Sequence, residues 1–112
     1  MRKEESYNIQ IWVGAKEHYD GATYNKEYVE NILQTYCDNV SFCVTLTETT
    51  YIYKNGKVDG FVIGIINYPR FPSSKEVLFS HAYAIAVILK DKLKQFRISI
   101  TTPQETFLLE DL

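Results

Sequence analysis

A chain of 112 residues and 13.0 kDa, 46% hydrophobic, is long enough to be one domain, spanning 1–112, with a core of its own. A net charge of only −2 excludes the basic field that holds nucleic acid by its phosphates, and two cysteines, Cys37 and Cys43, exclude a disulfide framework and lack metal-ligand spacing. The opening MRKEESYNIQ has no apolar stretch and no later run reaches membrane-spanning length, so a cytoplasmic protein without a membrane partner is expected.

In YNIQIWV, Ile9, Ile11 and Val13 alternate with Gln10 and Trp12, the period of a half-buried strand that Gly14 ends. Val29, Ile32, Leu33 and Tyr36 then recur at helical spacing over about 26–37, with Asn25 or Thr23 as the cap. VSFCVTLTETTYIYK and VDGFVIGIIN are rich in β-branched and aromatic residues. Asn55-Gly56 between them predicts a type I′ hairpin with positive φ at both residues. That turn would set Tyr51 opposite Gly60 and Ile52 opposite Asp59, with a bulge at Asp59-Gly60. Ser73 and Glu76 fit a capping box for a second helix running to about Gln95, whose core stripe is Leu78, Ala82, Ile85, Leu89 and Leu93. FRISIT is the fourth strand, with Phe96, Ile98 and Ile100 on one face, and Pro103 ends it.

The order βαββαβ predicts an α+β fold, a ferredoxin-like plait: a four-stranded sheet with two helices on one face. The first and third strands are expected side by side and parallel, about 4.8 Å apart, so that the segments following them leave the same sheet edge. This would bring His18 and Tyr19 to Tyr68, Arg70 and Ser74. Arg70 sits between Pro69 and Pro72, and free N–H groups at a helix start favour an anion, so these five residues form the expected binding site for a small anionic ligand. His18 also has the neighbours of a proton-transfer site, which makes a cofactor-free enzyme the second reading. No nucleophile motif, phosphate loop or metal cluster is present, and no cofactor is expected.

FVIGII barely alternates, so both sheet faces expect cover. Trp12, Val62 and Ile66 are predicted on the face without helices. Phe79, Tyr83 and Val87 form an outward stripe on the second helix. Either surface predicts a homodimer or a protein partner, so an accessory or phage-type interaction module is the third reading. His81, beside the core stripe, is expected as a satisfied boundary histidine.

Overall fold

The computed structural model describes residues 1–19 and 21–111, with Tyr19 described by its backbone alone. The first strand, β1 (Ile9–Gly14), alternates as its sequence predicts: Ile9, Ile11 and Val13 are buried, while Gln10 is exposed and Trp12 half-buried. A single 3₁₀ turn, Glu17–Tyr19, leads toward α1 (Lys26–Val40). The Asn25 side chain caps this helix by accepting the Tyr28 N–H at 2.9 Å, which satisfies one donor of the open first turn. The helix stops where Ser41 adopts a left-handed φ of 53° and turns its N–H back to the Cys37 carbonyl.

β2 (Thr45–Tyr53) and β3 (Gly56–Ile65) form a continuous hairpin. Its turn is Lys54-Asn55 rather than Asn55-Gly56, and of the two residues predicted positive only Asn55 is, with φ 66°. A one-residue change in the turn moves the pairing by two. Tyr51 therefore faces Val58, Ile52 faces Lys57, and Gly60 pairs with Thr49 without a bulge. A shift of two preserves which side chains share a face.

Ser74, not Ser73, caps α2 (Lys75–Lys92), accepting the Val77 N–H at 3.2 Å. Asn67 Oδ1 accepts the Ser73 N–H instead, so the second serine of the pair becomes the cap. The stripe Leu78, Ala82, Ile85, Leu89 and Leu93 is buried throughout. It packs with Val29 and Leu33 of α1 on Ile9, Ile11, Ile63 and Ile65 of the sheet, each such side chain contributing about 1.5–3 kcal/mol by leaving water. Both helices thus share one core with one sheet face. Among the described residues no helix is long and apolar enough to cross a membrane.

The sheet has five strands, not four. After β4 (Arg97–Thr101) the Thr102 hydroxyl accepts the N–H groups of Gln104 and Glu105, closing a tight turn into β5 (Thr106–Glu110). The order is β2-β3-β1-β4-β5, and every pairing is antiparallel. The α+β fold with two helices on one sheet face holds, and the strand count of the ferredoxin-like plait is corrected: the sheet is five-stranded and antiparallel, with β5 added at the edge beside β4. The fifth strand also explains Phe79: its ring packs on Phe107, centroids 4.9 Å apart, so its partner lies within the chain. Tyr83 and Val87 stay exposed, and Ile66 lies exposed just past the end of β3.

Candidate functional site

The direction of β3 decides which loops meet. Gly14 pairs with Gly60 at one end of the β1/β3 seam, and Ile9 pairs with Ile65 at the other. The segment after β1 and the segment after β3 therefore leave opposite ends of the sheet, separated by about 17 Å of strand at roughly 3.4 Å per residue. The expected convergence is corrected accordingly: Tyr68, Arg70 and Ser74 lie at one end, His18 and Tyr19 at the other.

At the first end, the stretch NYPRFPSS is a braced connector. Asn67 donates to the Glu5 carbonyl at 3.0 Å, and the Phe71 N–H returns to the Tyr68 carbonyl at 3.0 Å. The Cys43 thiol contacts the Tyr68 hydroxyl at 3.7 Å, which with burial pushes the Tyr68 phenol up. Arg70 is exposed and has no ion pair among the described residues. His81, the expected boundary histidine, ties the helices together. Its Nδ1 lies 2.7 Å from the Tyr36 hydroxyl, and Phe42 stacks on its ring at 4.1 Å.

At the opposite end, two residues with left-handed backbone meet. His18 (φ 44°) donates its N–H to the carbonyl of Lys94 (φ 50°), and its ring stacks on Phe96 at 4.3 Å. This joint locks the 3₁₀ turn to the link between α2 and β4. Gln95 completes it, its Nε2 donating to the carbonyls of Lys16 and Leu93, both at 2.8 Å.

Through Gln95 and Lys16 the joint reaches a cavity of about 570 Å³ on the sheet face that carries no helix. Gly14, on its lining, and Gly60, the register partner of Gly14, seat the larger side chains around it. A side chain on Gly60 would run into the Tyr51 ring, and one on Gly14 into Gln95, so glycine here lets both larger residues lie across the sheet. The wall is aromatic and aliphatic: Trp12, Tyr51, Tyr53, Val58 and Leu108. The indole Nε1 of Trp12 donates to Thr101 Oγ1 at 3.0 Å, and the Tyr51 hydroxyl donates to the Val13 carbonyl at 3.4 Å. Burial pushes the Tyr51 phenol up, so it stays a neutral donor. Cations stand at the edge. Arg97 Nε donates to Glu110 at 2.9 Å, while Lys16 has no ion pair among the described residues.

A slightly larger cleft, about 620 Å³, lies by the start of α1, between Glu48, Asp59 and Tyr24. Burial and the Glu17 carboxylate push the Tyr24 phenol up. Its lining is polar, and the Asn25 cap already fills one donor of the helix end, so the aromatic cavity is the better ligand site. Among the described residues no cluster of three or more His, Cys, Asp or Glu could hold a metal ion.

Sequence patterning placed Trp12 and Val62 on the open face, and the register confirms that the two are paired there. It missed Tyr51, Tyr53, Gln95 and Leu108. Gly60, inside a predicted strand, and Gly14, at the end of another, were the available signal, since a glycine in a strand marks a close approach.

No protein-family model matches the chain, and no curated protein matches it in sequence. Among solved structures, a phage SAM lyase in its apo state matches with TM-score 0.70 and 19% identity, over 94% of this chain and 89% of that one. A phage SAM lyase in complex with S-methyl-5'-thioadenosine matches with TM-score 0.82 over 99% of this chain and 94% of that one, and at 16% identity the likeness is one of fold.

Proposed function

We propose that this chain binds S-adenosylmethionine on its open sheet face and acts on it as a lyase, releasing S-methyl-5'-thioadenosine. What carries the reading is the aromatic cavity, on a chain folded along its length like a phage SAM lyase. Its volume lies within the roughly 300–1,000 Å³ usual for small-molecule sites. Trp12, Tyr51 and Tyr53 offer π faces both to a flat base and to a sulfonium cation, the latter worth about 0.5–2 kcal/mol per contact. Lys16, at the rim, suits the carboxylate of the amino-acid end.

S-methyl-5'-thioadenosine keeps the methyl group and the 5'-carbon on sulfur, so the bond that breaks joins sulfur to the amino-acid chain. Its electron pair goes to sulfur and cancels the positive charge. The carbon is then satisfied within the departing fragment by its own carboxylate, whose oxygen takes the place of sulfur and closes a lactone, so no proton has to leave and no water is added. The cavity lining contains no carboxylate among the described residues. These residues therefore contribute placement and charge: aromatic faces hold the cation until it is neutralised, and Lys16 anchors the fragment.

The test is to incubate the protein with S-adenosylmethionine and separate the products by chromatography, while following the emission of the chain's single tryptophan, Trp12. S-methyl-5'-thioadenosine should accumulate, its addition should quench Trp12, and Lys16→Ala should raise KM. Neither product nor quenching at millimolar ligand would end this reading.

A further inference from the structure

Aromatic faces hold a base without identifying it, because every base has a π face. Identity is read at the edges. On the described lining of the open-face cavity, Gln95 supplies a fixed acceptor for that purpose. Its Nε2 donates to two backbone carbonyls, those of Lys16 and Leu93, each at 2.8 Å. Two carbonyls can be satisfied only by the amide's NH₂, so the orientation of the group is set by chemistry. Oε1 must then point away from them. It lies over Gly14, where a Cβ would come within 2.9 Å of it, and Gly14 lines the same cavity two residues along β1 from Trp12.

We infer that Gln95 is a specificity-determining residue whose Oε1 accepts a hydrogen bond from the exocyclic amino group of an adenine base lying on the Trp12 side of the cavity. The inference rests on the proposed adenosyl ligand and adds how that ligand is told from its neighbours. Adenine presents an amino donor where guanine and hypoxanthine present an oxygen. An acceptor pinned by two backbone bonds cannot turn to meet an oxygen, so the wrong base would oppose a second lone pair to it and leave both unpaired. Gly14 belongs to the device, because a methyl group there would crowd Oε1 at 2.9 Å and push the amide off the position its two Nε2 bonds set.

Calorimetric titration with S-methyl-5'-thioadenosine and with its deaminated counterpart, S-methyl-5'-thioinosine, tests this directly. Wild type should bind the amino compound at least about tenfold more tightly. Gly14→Ala should weaken that compound by a similar factor and leave the inosine compound nearly unchanged, and Gln95→Met should also abolish the preference. Far-ultraviolet circular dichroism checks that each variant is folded, and the wild-type comparison stands even if a variant is not. Equal wild-type affinity for the two compounds overturns the role of Gln95 while leaving the ligand reading intact. Binding of neither compound overturns both.

Discussion

The Trp12 indole gives its only polar hydrogen to Thr101 Oγ1, 3.0 Å away on β4, and the Thr101 hydroxyl in turn donates to the Gln10 carbonyl at 3.4 Å. The ring is thus anchored by its edge to the neighbouring strand.

Thr101→Val keeps the shape and removes the acceptor. Leaving the half-buried indole N–H without its partner should cost about 1 kcal/mol in urea denaturation. Trp12 emission should shift as the ring loosens, and affinity for S-methyl-5'-thioadenosine should drop severalfold. Unchanged emission and stability together would show that the bond does not hold the ring.

Alkaline pH should weaken the fold. Burial pushes the phenols of Tyr36 and Tyr51 above their ordinary 10.0, and burial together with Cys43 and Asp38 pushes the Cys37 thiol above 9.0, against an opposing hydrogen bond from the Val44 backbone. Each is an acid whose neutral form the folded chain prefers. Their contribution is complete while both folded and unfolded chains keep the proton. It declines as the unfolded chain releases its proton first, and it is lost once pH passes the folded value. Melting temperature should therefore fall beyond about pH 9, and less steeply in Tyr51→Phe. An identical slope in that variant would remove Tyr51 from the account.

The contact between Phe79 and Phe107 should hold β5 to α2. A double-mutant cycle to leucine at both positions should give a coupling of about 0.5–1.5 kcal/mol. Strict additivity would mean that β5 is held by its ladder with β4 alone.

Strand and helix positions could be read from the sequence because each leaves a local period: β1 and β4 alternate, and the α2 stripe repeats at helical spacing. The α2 cap slipped by one because Ser73 and Ser74 are chemically equivalent candidates, and only Asn67, at the start of the connector that follows β3, separates them. β5 does alternate, with Phe107 and Leu109 facing inward and Leu108 outward, but five residues behind a proline read locally as a tail. Strand direction has no local signature at all. It is set by how the crossings add up along the chain, and the candidate site was misplaced through the sense of one strand. Tyr51 and Gln95 come together across a glycine pair formed by strands that are distant in sequence, so no window of neighbouring residues contains the cavity.

β1 occupies the middle of the sheet, and its flanks are closed by β3 and by β4, with Trp12 and Thr101 separated by 89 positions. In biosynthesis β1 thus stays open on one flank until β4 has been made. Until then, that edge of β1, carrying Ile9, Ile11 and Val13, is open to strands of other nascent chains. Assembly by such long-range closure is slow by nature. Any delay between the making of β1 and of β4 therefore lengthens the time in which β1 can pair with the wrong strand.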